Sequence, residues 1–281
     1  MAIITISREL AALGDETARE LARLSGCRLA DRKFIEEKIK QYGANRGLLK
    51  KFDERKPGFF SSLSAERDDY LHYLKTAIID AALEGNCIFI GRGAFAVLGD
   101  LPAALPVMLV STREARIERV RGYFRCDEKK ALEIITRSDN DRSGFYSYFF
   151  DVKWRDSANY KITLNTARLT PSVCAELIDR ACALIAAPDA EAATQKKLAE
   201  LRLAQKIIHN IVYEKSISVQ FLDAVVSGST ATLYGVAGTL PLAEAALEAA
   251  RNAVLDAASP DGGVKNVVSE IQILQETTPF H

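Results

Sequence analysis

Apolar positions along this chain fall into two rhythms. One is the short, unbroken run: Ile3-Ile4-Thr5-Ile6, Cys87-Ile88-Phe89-Ile90 and Val107-Met108-Leu109-Val110. Such runs lack polar alternation, so they predict strands covered on both faces, as in a parallel sheet. The other rhythm is helical. Ala18, Leu21, Ala22 and Leu24 share a face across residues 15–25, and Gly26 follows as a stop signal. Tyr70, Leu71, Leu74, Ile78 and Ile79 repeat the spacing across 68–83, and a further helix is predicted over 171–185. A short strand near Arg28-Leu29-Ala30 leads into a charged helix from Asp31 to residue 42. A basic helix is predicted after Ser111-Thr112, and a strand over 160–164 before Asn165-Thr166. Residues 43–66 read as polar and irregular, punctuated by Pro57-Gly58. Strands that alternate with helices in this way predict an α/β fold, a parallel sheet flanked by helices.

The rhythm changes after residue 185. Residues 186–195 are small and polar, and predict a linker between a domain at 1–185 and a second at 196–281. The second domain reads as a helix near 196–213 and alternating strands at 217–221 and 231–236, with Gly228 between them. A helix at 241–257, a Gly262-Gly263 turn and a strand at 267–274 complete it. That order predicts a small α+β domain.

Composition narrows the function classes. Lys plus Arg and Asp plus Glu both number 37, so the formal charge is zero and no basic field points to nucleic acid. No apolar stretch reaches the roughly 18 residues that a membrane-spanning helix needs. The opening Met1-Ala2-Ile3-Ile4 lacks the basic start of a secretory signal, so the expected compartment is the cytoplasm. Cys27, Cys87, Cys126, Cys174 and Cys182 are widely spaced, with no CxxC pair, and read as free thiols. His72 and His209 lie in helical stretches, and no metal site is expected from the protein's own side chains.

Four constellations could carry chemistry. The loop Ser7-Arg8-Glu9-Leu10-Ala11-Ala12-Leu13-Gly14 joins a strand to a helix, where unpaired amides and the helix dipole favour anions. It holds one glycine and no lysine, and Asp15 and Glu16 put carboxylates at the helix start. A phosphate cradle and a plain capped helix both fit these residues. Gly91-Arg92-Gly93 ends a buried strand, where ligands of open α/β sheets bind; the arginine suits a phosphate or a structural ion pair. Arg116 and Arg119 share one face of the basic helix, either as a solvated face or as part of a site. Asp139 and Arg142, three apart, suit an ion pair along a helix or a contact to a base and a phosphate; the aromatic run 145–150 follows them.

Taken together, Thr5-Ile6-Ser7-Arg8-Glu9, Asp31-Arg32, Ile88-Phe89-Ile90-Gly91-Arg92-Gly93-Ala94, Asp139-Asn140-Asp141-Arg142, Asn159-Tyr160 and Leu164-Asn165-Thr166 resemble the cytidylate kinase-like family over residues 1–185. The resemblance implies a P-loop nucleoside monophosphate kinase that transfers phosphate from ATP, with magnesium, to CMP or dCMP. It implies that Arg92 holds the acceptor monophosphate, that Asp139 and Arg142 contact the acceptor nucleotide, and that Asp31 opens onto the same site. Arg116 or Arg119 falls near the arginine before a short lid at 121–137, so Arg116, Arg119 and Arg142 are the catalytic candidates. Ser7, Arg8, Gly14 and Thr17 are the ATP-binding candidates, with Ser7 and Thr17 the nearest hydroxyls for magnesium. The family usually carries a Gly-Ser-Gly-Gly-type loop; here it is Ala11-Ala12-Leu13-Gly14, followed by acidic Asp15. The acceptor side is thus expected to be retained and the ATP side altered. Two functions follow: a CMP kinase, or a catalytically impaired nucleotide sensor or scaffold. Residues 196–275 resemble a BON domain, through Ile217-Ser218-Val219, Ala231-Thr232-Leu233-Tyr234-Gly235-Val236 and Gly263-Val264-Lys265-Asn266-Val267. That resemblance implies a non-catalytic module that binds a small ligand or a protein, and allows that it is the main working part.

Overall fold

The computed structural model describes residues 2–44, 47, 49, 65–255 and 263–274. Most of the irregular stretch expected at 43–66, with Pro57-Gly58, lies outside the described residues, as does Gly262 of the expected turn. The chain divides into two compact units, Met1–Gln195 and Lys196–His281.

In the first unit the apolar runs become strands: β1 (Ile3–Arg8), β2 (Arg28–Ala30), β3 (Cys87–Ile90), β4 (Ala104–Val110) and β5 (Ile162–Asn165). They form one parallel sheet in the order β2-β3-β1-β4-β5. β1 lies at the centre because both of its faces are apolar; Ile3, Ile4 and Ile6 are at most 1% exposed. β4 starts three residues before the run at 107–110, since Pro106, a residue that discourages a strand reading, is accommodated opposite Thr5. The helices are α1 (Gly14–Ser25), α2 (Arg32–Gln41), α3 (Ala65–Leu83), α4 (Ala94–Leu98), α5 (Arg113–Phe124), α6 (Glu128–Phe150) and α7 (Pro171–Ile185). Four of their starts carry side-chain caps: Asp31, Thr112, Asp127 and Thr170 each accept a backbone N–H of the first turn. Gly26 ends α1 in the left-handed conformation, as its sequence position suggests. Ala18 and Leu21 of α1 and Ala175, Ile178 and Cys182 of α7 close one core against Ile4, Ile6, Ile88 and Leu105 of the sheet.

All five cysteines are free and four are buried. Burial pushes the Cys87 and Cys182 thiols up to about 11, which keeps them neutral packing groups. The strand order puts β1 between β3 and β4, so the loops that leave these three strands converge beyond their carboxyl ends.

The residues expected as a linker are helical from Pro188, within α8 (Pro188–His209). Their small residues are alanines, the best helix formers, and Asp189 and Glu191 suit a first turn. In the second unit β6 (Gln220–Ser227) runs antiparallel to β7 (Thr230–Ala237), and β8 (Asn266–Ile273) joins β7 in parallel. β6 begins later than the strand expected at 217–221, because Phe221 takes a left-handed backbone (φ 52°) in a bulge between Gln220 and Asp223. α9 (Leu240–Leu255) lays Ala246, Ala249, Ala250 and Ala253 in the core with Leu233, Val226, Ile207 and Ile211. Among the described residues no helix is long and apolar enough to cross a membrane.

Candidate functional site

The loop between β1 and α1 joins a central strand to a helix start through unusual residues. Ala11 (φ 59°) and Leu13 (φ 51°) both hold left-handed backbone, a region in which a side chain crowds the main chain. These are the two positions where the resembled family places glycine. The shape is held from outside. Arg116 of α5 donates through Nε to the Leu10 carbonyl at 2.8 Å, and Arg119 donates through Nη1 to the Ala11 carbonyl at 2.8 Å. The Thr17 hydroxyl donates back to the Leu13 carbonyl at 2.8 Å. Leu10 and Ala11 also pack against Val120 of α5 and Ala131 and Ile135 of α6, so the predicted lid segment lies on the loop through an apolar cluster.

The arginines here are committed in further directions. Arg116 grips both oxygens of Asp139 at 2.8 and 2.9 Å and lies 3.3 Å from Glu9. Arg155 donates to the same two carboxylates, at 2.7 Å each. Arg119 also donates to the Ser111 and Thr166 hydroxyls and to the Thr166 carbonyl. Asp139, 9% exposed, therefore pairs with Arg116 and Arg155 rather than with Arg142; Arg142 donates to Ser138 one turn back. The local ion pair between Asp139 and Arg142 is therefore not formed. Ser7 is buried in β1, close to Tyr160, whose phenol donates to the Trp154 carbonyl at 2.6 Å. Burial pushes that phenol far above its ordinary value, so it stays a neutral donor.

The other side of β1 opens into a cleft of about 430 Å³ beyond the ends of β1, β2 and β3. Arg8, Arg19, Arg32 and Lys33 line it. Asp15, Asp31 and Glu36 line it as well, which leaves one net positive charge. Arg8 lies 3.6 Å from Asp15, and its stem covers Gly14, where any side chain would collide with it. Asp31 spends one oxygen on the α2 cap, accepting from the Phe34 N–H at 2.9 Å. Arg92, 2% exposed, sits in three successive left-handed residues, Gly91, Arg92 and Gly93. It donates to the Tyr70 hydroxyl at 3.1 Å and to Glu36 at 2.6 Å, and Glu36 also takes Arg32 Nε at 2.8 Å.

The candidates thus separate into two groups. Arg116, Arg119, Asp139 and Thr17 gather at the loop; Arg8, Gly14, Asp31 and, through Glu36, Arg92 gather at the cleft. Sequence reasoning missed Arg19, Glu36 and Arg155. Arg19 and Glu36 lie one helical turn inside α1 and α2, on faces that only the sheet order brings together. Arg155 stands alone after the aromatic run, with no motif to mark it. Glu9 and Thr166 were inside quoted motifs without a role.

A protein-family model described as the cytidylate kinase-like family matches residues 3–168, more than half of the chain. No curated protein matches it. Among solved structures, an uncharacterized protein from Eubacterium ventriosum is 20% identical with a TM-score of 0.51, over 65% of this chain and 99% of its own. A shikimate kinase from Bacteroides thetaiotaomicron is 17% identical with a TM-score of 0.38, over 65% and 97%. One from Aquifex aeolicus is 15% identical with a TM-score of 0.36, over 66% and 100%. The first of these likenesses supports the α/β fold of the first unit and speaks to the fold alone.

Proposed function

The chain belongs to the cytidylate kinase-like family, and from that premise we propose that its first unit binds a nucleoside monophosphate, CMP in the first instance, without transferring phosphate to it from ATP. One observation carries this reading: Arg116 and Arg119 are spent on the carbonyls of the loop that would cradle the ATP phosphates. Phosphoryl transfer rests on positioning and charge neutralisation, so it needs cations that face the phosphates and amides that point at them. Here the loop turns carbonyl oxygens to the cations, Asp15 stands at the α1 start, and the Thr17 hydroxyl is bonded to Leu13. ATP and magnesium, which the family brings with it, would have to compete with these contacts.

The cleft fits a phosphomonoester. Arg8, Arg19, Arg32 and Lys33 supply positive charge on a floor of strand ends. Asp31, at the rim, keeps an oxygen for a ribose or base donor. A second reading, an active kinase for CMP with ATP and magnesium, is supported by the family. For the second unit, the helix-strand-strand-helix-strand order and the glycine at 235 support a BON-like module with a small-molecule or protein ligand. The reading places both units in the cytoplasm, where nucleoside monophosphates are available.

Calorimetric titration of the full chain with CMP, and separately with ATP–magnesium, tests this. Heat from CMP alone, with no ADP formed in a coupled assay, is the expected result. Saturable ATP binding with turnover of CMP would replace this reading with the second one.

A further inference from the structure

The sheet of the second unit has one face in a core and one face exposed. Ala224, Val226, Ala231 and Leu233 pack against α8 and α9. The strand register fixes what alternates onto the other face. Val225 lies beside Thr232, and Thr232 beside Val268; Asp223 lies beside Tyr234, and Tyr234 beside Glu270. Neighbours of this kind have their Cβ atoms about 5 Å apart, so the apolar groups are contiguous and the Tyr234 ring stands between two carboxylates. Val225, Tyr234 and Val268 are 42 to 48% exposed. None of the three strands carries a lysine or an arginine. Among the described residues, Asp223 and Glu270 have no hydrogen-bond or ion-pair partner. A contiguous apolar surface with unpaired carboxylates suits a partner that is basic and aromatic.

The chain carries that chemistry itself. Arg121, Gly122, Tyr123, Phe124 and Arg125 are all exposed at the end of α5, and the two rings are more than half exposed. Among the described residues neither guanidinium is paired. Arg116 and Arg119 of the same helix, by contrast, are held by loop carbonyls. Arginine and tyrosine are among the side chains that carry most of the energy of protein contacts. We propose that the α5–α6 turn of one copy docks on the open sheet face of the second unit of another copy. A guanidinium over the Tyr234 ring pairs there with Asp223 or Glu270, while Tyr123 and Phe124 cover Val225 and Val268. The two surfaces differ, so the contact is heterologous and either closes into a ring or runs on as an open chain. The turn is small, which puts the contact in the weak, concentration-dependent class.

Sedimentation velocity on the full chain across a range of concentrations tests this. The proteins compared are the unchanged chain and two charge reversals, Asp223→Lys with Glu270→Lys and Arg121→Glu with Arg125→Glu. The unchanged chain is expected to associate in the micromolar range, and less tightly as salt is raised. Each reversal alone sets like charges against each other and is expected to weaken association by about tenfold or more. An equimolar mixture of the two reversals brings a basic face to an acidic turn and is expected to restore it. The neutral pair Asp223→Asn with Glu270→Gln, which perturbs the strands least, is expected to fall between. An unchanged chain that stays monomeric at every concentration overturns the proposal. So does association that survives either reversal, or a mixture that fails to associate while both variants keep their melting temperatures. Where a reversal melts early, the neutral pair decides: association that it leaves unaltered overturns the proposal.

Discussion

The two turns that flank β1 solve the same backbone problem in opposite ways. After β3 the chain passes through three left-handed residues, and glycine occupies the first and third. After β1 it again needs left-handed backbone, yet Ala11 and Leu13 supply it. Glycine tolerates this region at no steric cost. A side chain there costs about 1 kcal/mol per residue and persists only where the surroundings hold it. At the β3 turn Arg92 is the one side chain among the three, and it is held by Tyr70 and by Glu36, which lines the cleft. At the β1 loop the surroundings are Arg116, Arg119 and Thr17, each donating to a loop carbonyl. The lesson is one of allocation: cations that would serve a ligand in one turn serve the main chain in the other.

The largest way to break this contrast is Arg116→Ala. It leaves Asp139 and Glu9, both nearly buried, with Arg155 as their remaining ion-pair partner, and releases the Leu10 carbonyl. A loss of about 3 kcal/mol is expected, from the shift of the urea midpoint. Arg155→Ala, at a half-exposed side chain, should cost under about 1 kcal/mol in the same assay. A loss of equal size in the two would remove the distinction between a buried grip and a surface bridge.

Next in size is Gly93→Ala. Its Cβ would meet the Phe150 ring, and φ is 77°. A loss of about 2 kcal/mol is expected from thermal melting, with weaker CMP binding because Arg92 precedes it in the same turn. The smallest effect sharpens the comparison from the other side. Ala11→Gly with Leu13→Gly should raise stability by about 1 kcal/mol, strain relief being partly offset by the added freedom of the unfolded chain. Calorimetry with ATP–magnesium on that double variant should still show no binding, since Arg116 and Arg119 keep their carbonyls. Restored ATP binding would make the missing glycines, rather than the arginine grip, the cause.

Much of the frame was readable in the residues. Cys87–Ile90 and Pro171–Ile185 are found at their expected bounds, because an unbroken apolar run between turn residues and a Thr-Pro start leave little choice. Boundaries failed where local composition says one thing and long-range pairing another. Pro106 hid the start of β4, the alanines before Gln195 resembled a linker, and Phe221 displaced β6 by a bulge. The site was half legible. Arg92, Asp31 and Arg8 were marked by motif and by strand-end position. That Asp139 turns to Arg116 instead of Arg142, and that Glu36 faces Arg92, depend on side-chain directions across helices far apart in sequence.

The central place of β1 has a kinetic meaning as well. Ile3 pairs with Cys87 on one side and with Ala104 on the other. β1 thus waits, sticky and unpaired, until its first partner β3, more than eighty residues further along, has been made. Contacts so distant in sequence close slowly, and the waiting species exposes an apolar edge. Pulsed hydrogen exchange during refolding should find the amides of Ile3–Ile6 protected together with those of Cys87–Ile90, never ahead of them. The strand that organises the folded sheet would then commit only when a distant partner is ready, and the moment of greatest risk for aggregation would fall just before it docks.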